Sequence, residues 1–366
     1  MHIGVLGGGQ LGRMLALAGY PLGLQFIFFE PAEEAPAEHL ADRIVGDFDD
    51  HQKLQELTDQ VDVVTYEFEN VPVSAARFVA ERRPVYPPAA ALEVSQDRLI
   101  EKTFFERLEI PTPPFVAVDS LDHLKRAVQQ IGLPAVLKTR RMGYDGKGQE
   151  ILRSAADVDA AWQRLTGTPL LLEGFVAFQR ELSILAVRSR NGEKAFYCLV
   201  ENEHRQGILR LSRAPAADVP AALQAQAQRY ATAILEQLDY VGVLAIELFE
   251  VGGRLLANEM APRVHNSGHW SIEGAETSQF ENHLRAILDL PLGPTATIGH
   301  STMFNLIGTL PDAAAVLAVP GAHLHLYGKT TRPARKLGHV TVRADDIETL
   351  NRRVAEMRRV LGAGNE

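Results

Sequence analysis

The chain has 366 residues, 46% of them apolar and 23% charged, with a formal net charge of −9. That length asks for two or three domains, and that composition for a globular chain without a nucleic-acid or anionic-membrane partner. The single cysteine, Cys198, can form no internal disulfide, which fits a reducing cytoplasm. No charged segment with a cleavage site opens the chain, and its longest uncharged run, Met14 to Phe29, is broken by Gly19, Pro21, Gly23 and Gln25. Neither a secretory leader nor a membrane helix is expected.

Residues 1 to about 95 alternate strand and helix patterns. "HIGVLG", "LQFIFFE", "RIVG" and "VDVVTYE" read as strands; "QLGRMLALAG", "HQKLQELTDQ" and "PVSAARFVAERR" read as helices. This order predicts an open parallel sheet with helices on both faces. Gly7, Gly9 and Gly12 spell G-x-G-x-x-G between the first strand and helix, and Glu30 ends the next apolar run. Such a loop brings backbone close to a ligand and offers helix N–H groups to an anion, so an NAD-dependent oxidoreductase stays in view. Glu67 and Glu69 stand at the end of a later strand with the same side-chain parity.

"VYPPAAAL" reads as a linker before a helix near Ser95, and "IPTPPF" as a second boundary. The strand "AVLKT" then delivers Lys138 to a loop holding Gly143, Tyr144, Asp145, Gly146, Lys147, Gly148 and Gln149. Glycines free N–H groups to point at phosphates and lysines neutralise their charge, although no G-K-[ST] of a Walker A loop is present. "LLLEGFV", "ELSILAVRSR", "AFYCLVE" and "GILRLSRA" read as strands, with Cys198 a buried, inert thiol. "VPAALQAQAQRYATAILEQL" is an amphipathic helix, and the last 65 or so residues form a smaller mixed unit ending in a helix to about Leu361.

"VGVLAIELFE" and "RLLANEMA" form a hairpin through Gly252 and Gly253, carrying Glu247 and Glu259. A two-residue turn in unbroken register would pair Val251 with Arg254 and set Glu247 opposite Asn258, with Glu259 on the other face. A three-residue loop, or an equivalent bulge, would set the two carboxylates face to face. Like charges so placed repel unless a cation such as Mg²⁺ lies between them, so the longer loop or such a bulge is predicted. Arg263, His265, Asn266, Ser267 and His269 follow within seven residues, a donor cluster suited to a small oxyanion.

Lys138, the loop "GYDGKGQ", "LLLEGFV" and the pair of Glu247 with Asn258-Glu259 resemble the ATP-grasp family. "NEMAPRVHNSGHW", "YGKTTRPARKLGHV" and the opening "GVLGGGQLGRM" resemble its branch that carboxylates an aminoimidazole ribonucleotide in purine biosynthesis. The resemblance implies an α/β and α+β fold in three parts. These are a Rossmann-like domain over 1–95 and a two-lobed ATP-grasp domain over 96–295, with an ATP lid at about 115–176. A small C-terminal domain over 296–366 completes the chain. It implies a cytoplasmic, homodimeric ligase that takes ATP, Mg²⁺, bicarbonate and 5-aminoimidazole ribonucleotide, with neither nucleic acid nor membrane as partner.

By the same resemblance Arg98, Lys138 and the loop Gly143–Gln149 meet the ATP phosphates, with Asp145 also catalytic. Glu173, Gly174, Phe175 and Val176 meet adenine, Glu181 the ribose with His204 nearby, and Glu247 and Glu259 hold magnesium beside Asn258. Arg263, His265 and Asn266 face bicarbonate. Gln10, Leu11, Glu67, Glu69, Lys329, Arg335 and Lys336 face the ribonucleotide. A biotin-carboxylase-like or formate-using ATP-grasp ligase, and a non-catalytic nucleotide sensor, are the other readings.

Overall fold

The computed structural model describes residues 1–32, 35–143 and 146–362. Four strands, β1 (His2–Leu6), β2 (Gln25–Glu30), β3 (Asp42–Val45) and β4 (Val63–Tyr66), form a parallel sheet in the order β3-β2-β1-β4. Their runs are apolar without alternation because helices cover both faces: Val5, Phe28 and Leu15 sit in one cluster, and Leu6, Phe29 and Leu54 in another. The helix His51–Gln60 starts where the Asp50 carboxylate accepts from the N–H groups of Gln52 and Lys53.

A second sheet of four antiparallel strands comprises β5 (Phe115–Val118), β6 (Ala135–Thr139), β7 (Gln149–Leu152) and β8 (Leu170–Gly174), ordered β5-β8-β6-β7. Helices Leu121–Ile131 and Asp157–Leu165 cover it, burying Leu124, Ala127, Val158 and Ala161. The third sheet contains β9 (Arg180–Arg188), β10 (Lys194–Phe196), β11 (Val200–Arg205), β12 (Ile208–Ala214), β13 (Gly242–Val251), β14 (Arg254–Ala261), β15 (His300–Ile307), β16 (Ala322–Leu326) and β17 (Lys336–Ala344). Its order is β14-β13-β9-β11-β12-β15-β17-β16, with β10 beside β9, antiparallel throughout. The last three strands extend this sheet through the β12–β15 pairing. The helix Ile347–Leu361 covers that end with Leu350, Met357 and Leu361.

Three local expectations change. "AFYCLVE" is not one strand: Tyr197 to Leu199 leave the sheet, because Gln224 accepts from the N–H of Leu199 and donates to the carbonyl of Tyr197. The linker around "VYPPAAAL" already contains a helix, Ala89–Ser95, before the helix Arg98–Arg107 that Asp97 caps. The strand carrying "TYE" ends at Tyr66, so the parity argument for Glu67 and Glu69 lapses and the two carboxylates take separate partners.

The parallel sheet docks on the large one through a histidine. His283 Nδ1 accepts from the N–H of Val243 at 3.1 Å, so Nε2 holds the proton and faces Thr65 Oγ1 at 2.9 Å. Burial depresses its pKa to about 3, which keeps it neutral. Among the described residues, no helix is long and apolar enough to cross a membrane.

Cys198 is partly buried against the main core, and burial pushes its thiol up to about 12. Nucleophilicity resides in the thiolate. The native protein should therefore resist iodoacetamide at pH 8 and react fully once unfolded; rapid labelling of the native thiol would contradict this burial.

Candidate active site

The helix Arg98–Arg107 lies under the β13–β14 hairpin and supplies Arg98, Glu101 and Lys102 from one short run. Its start is fixed by Asp97, which caps it and receives both Arg140 nitrogens at 3.1 and 2.9 Å. Arg98 Nη1 reaches Glu259 Oε2 at 2.8 Å. From the second sheet, Lys138 Nζ reaches Glu173 Oε2 at 2.8 Å, while Lys102 Nζ lies 3.8 Å from Glu173 Oε1 and donates to the carbonyl of Ala257. Burial opposes the Glu173 charge, but Lys102 and Lys138 outweigh it and hold its pKa at about 2. Burial and the Glu259 charge instead raise Glu101, whose Oε1 accepts from the N–H of Met260.

The hairpin brings the two carboxylates face to face by a bulge. Val251 pairs with Arg254, so the turn has two residues and the three-residue loop, one of the two predicted forms, is not the one adopted. The register then slips between Glu247 and Leu248: Leu248 faces Ala257 and Glu247 faces Glu259, which leaves Asn258 without a partner position. The bulge alternative thus restores parity. Burial first, then the neighbouring charge of Glu259, raises the pKa of Glu247. Glu259 is held low because Arg98 outweighs burial. Glu181, Asn202, His204, Glu247, Phe249 and Asn258 line a pocket of about 180 Å³. His204 Nδ1 meets Glu181 Oε2 at 2.5 Å. Burial works against the charge on His204, but Glu181, Glu247 and Glu259 prevail and raise its pKa.

The glycine-rich loop sits over this floor. A Cβ at Gly143 would stand 3.5 Å from Arg98 Nη2, and Gln149 pairs with Lys138 in the β6–β7 ladder. Gly146 has φ +75°, and a Cβ there would lie 2.7 Å from the carbonyl oxygen of Gln206, so the loop rests on the β11–β12 turn. Lys147 and Gly148 complete this turn; Tyr144 and Asp145 lie outside the described residues. Past Glu173, the N–H groups of Gly174 and Phe175 donate to the carbonyls of Pro114 and Pro134. Phe175 is exposed and Val176 half-buried.

Beyond Glu259 the chain turns into the donor cluster. Arg263 Nη2 donates to Glu69 Oε2 at 2.5 Å. His265 Nε2 lies 3.6 Å from Glu247, and burial together with Arg263 depresses its pKa far enough to keep it neutral. Both polar atoms of the Asn266 amide are buried and have no hydrogen-bond partner among the described residues. Such orphans are rare in folded chains and commonly mark a missing ligand or water. Lys329 Nζ donates to Gln10 Oε1, whereas the half-buried Arg335 donates from Nη1 to both oxygens of Thr330. Lys336 begins β17.

The N-terminal glycine loop departs from the dinucleotide reading. Glu67 Oε1 accepts from the N–H of Gly9 at 2.9 Å, and Oε2 from Leu11 and Gly12 at 3.1 and 3.2 Å. Glu30 accepts from the N–H of Gly8 at 2.7 Å. Carboxylates of the chain itself thus occupy the anion site at this helix N-terminus, where a pyrophosphate would have to sit. A Cβ at Gly9 would fall 2.5 Å from Glu67 Oε1, so glycine is needed for this internal contact. The side chain of Leu11 is core.

Three family models match the chain: a ribonucleotide synthetase preATP-grasp domain over 1–96, an ATP-grasp domain over 103–280, and a phosphoribosylaminoimidazole carboxylase C-terminal domain over 301–353. An N5-carboxyaminoimidazole ribonucleotide synthase of Pseudomonas aeruginosa is 54% identical over 363 residues, covering 99% of this chain and all of that one. The chain belongs to the N5-carboxyaminoimidazole ribonucleotide synthase family. It is an ATP-grasp ligase. The crystal structure of the Thermus thermophilus synthetase matches with a TM-score of 0.95 at 59% identity, over 98% of each chain. The Aspergillus clavatus synthase, solved in complex with ADP and 5-aminoimidazole ribonucleotide, matches with a TM-score of 0.92 at 32% identity, again over 98% of each.

In this synthase fold the structure adds two residues the sequence reading passed over, Glu101 and Lys102. Their only signal was charge on the inner face of a helix that otherwise packs Phe105 into a core. A fully buried lysine beside a buried carboxylate is costly to break, at about 3–5 kcal/mol when one partner is removed. Lys102→Met should lower the unfolding free energy in urea by about 3 kcal/mol. A variant as stable as the parent would remove Lys102 from this network.

Proposed function

We propose that the chain couples ATP hydrolysis to the carboxylation of 5-aminoimidazole ribonucleotide by bicarbonate, giving the N5-carboxyamino product of purine biosynthesis, ADP and phosphate. One observation carries the reading. The Glu247–Glu259 pair, flanked by Arg98 and Lys138, lies next to a donor cluster whose buried Asn266 amide awaits a partner. Family membership then selects the substrates.

Arg98 and Lys138 bind the ATP phosphates under the loop Gly143–Gln149, in which Tyr144 and Asp145 belong to the same reading. Glu173 to Val176 border the adenine, and Glu181, held by His204, accepts from the ribose hydroxyls. Among the described residues no cluster of three or more acidic, histidine or cysteine ligands exists. Two carboxylates suffice for a magnesium ion that arrives on a nucleotide, because phosphates and waters complete its shell. Glu247 and Glu259 fit that role, with Asn258 beside them. Magnesium would supply charge neutralisation at the transferring phosphoryl group.

Arg263 offsets the negative charge of bicarbonate. Neutral His265 borders the site without adding charge, and Asn266 offers one donor group and one acceptor. A bicarbonate oxygen attacks the γ-phosphorus and ADP departs, which leaves carboxyphosphate. The exocyclic amine then forms the C–N bond as phosphate leaves the carbon. Burial of this cluster keeps water from the intermediate. Gln10, the N–H side of Leu11, Glu69, Lys329, Arg335 and Lys336 bound the ribonucleotide site, with Glu67 shaping its loop. The division of labour over 1–95, 96–295 and 296–366 belongs to this proposal. So does action as a cytoplasmic two-fold homodimer.

Attack by bicarbonate transfers one of its oxygens to phosphate. With ¹⁸O-labelled bicarbonate, the released phosphate should carry a single ¹⁸O, and ADP release should require both bicarbonate and the ribonucleotide for full rate. Unlabelled phosphate at full turnover would refute the carboxyphosphate route.

A further inference from the structure

A second pocket lies outside this site. About 350 Å³ in volume, it is lined by Arg205, Arg210 and Arg358, by Glu203, and by Leu211, Phe304 and Leu361. It sits between the β11–β12 hairpin, β15 and the end of the helix Ile347–Leu361. Three arginines share this lining with a single carboxylate. Arg213 already holds that carboxylate at 2.8 Å, which leaves Arg358 at 3.9 Å.

Arg210 is the telling residue. Between Glu203 and His204 the β11–β12 register slips: Glu203 faces Leu211 and His204 faces Leu209, so Arg210 is the extra residue of a bulge. Bulges re-aim side chains, and here Arg210 and Leu211 line one pocket although they are neighbours in a strand. Its Nε is buried without a hydrogen-bond partner among the described residues. Leaving a donor of a charged group buried and unmet is unfavourable, and an anion in the pocket removes that penalty. Leu211, Phe304 and Leu361 give the pocket an apolar wall.

We propose that this pocket binds a phosphate monoester, with the arginines on the phosphate and the apolar wall on its organic group. The pocket is separate from the catalytic one but shares its framework. Arg205 and Ile208 close the hairpin whose turn supports Gly146 of the ATP loop, and His204 faces the nucleotide pocket from the same strand.

The test uses phenyl phosphate as probe, in calorimetry on the whole chain saturated with magnesium ADP and 5-aminoimidazole ribonucleotide, so that the catalytic subsites are filled. One equivalent should bind, more tightly than inorganic phosphate or phenol. Arg210→Met should weaken it about tenfold or more while leaving the KM for ATP unchanged in the absence of probe. Should Arg210→Met fail to fold, the exposed Arg205→Ser variant should still show weaker binding. Absence of binding, binding lost on filling the catalytic site, or affinity unchanged in the folded arginine variants would each overturn the proposal.

Discussion

Glu247 and Glu259 face each other across adjacent strands because one residue, Asn258, is left out of the ladder. Everything around them answers that placement. Four carboxylates, Glu101, Glu173, Glu247 and Glu259, crowd against three cations, Arg98, Lys102 and Lys138. Glu173 takes two of the cations and Glu259 one, so at Glu247 burial and the repulsion of Glu259 outweigh the attraction of His204 and Lys336. Two facing carboxylates, one of them lining a pocket, suit a cation that comes with its own ligands.

The second constraint is the meeting of three segments far apart in sequence. Glu69 from the end of the parallel sheet holds Arg263, Gln10 from the first helix holds Lys329 of the C-terminal unit, and Thr65 meets His283. No single segment forms the donor cluster beside Asn266. The site lies at the carboxyl ends of the parallel strands, where open α/β sheets place their ligands.

Much of this was legible in the chain. Periodicity gave the parallel sheet, the hairpin and the long helix Ala221–Gln237, because burial on one or both faces leaves a pattern of apolar residues. Charge logic gave the facing carboxylates and the demand for a longer loop or a bulge. It could not choose between the two, since the turn and the ladder each absorb one residue equally well. The glycine loop misled for a similar reason: G-x-G-x-x-G encodes close approach to an anion, and here the anions are Glu67 and Glu30 of the chain itself. Tyr197 to Leu199 looked like strand because the run is apolar, while the side chain that draws it from the sheet, Gln224, lies on a distant helix. Lys102 showed only as a charge on the inner face of its helix, as partners 71 and 155 residues away define it.

The central claim is that the facing carboxylates hold a nucleotide-borne divalent ion. ADP affinity measured by calorimetry with and without Mg²⁺, in the parent and in Glu247→Gln/Glu259→Gln, tests it most directly. The parent should bind ADP at least about tenfold more tightly with Mg²⁺. The double variant should lose that dependence yet bind metal-free ADP no worse, because repulsion of the phosphates is gone. A double variant that keeps the full magnesium effect would contradict the account.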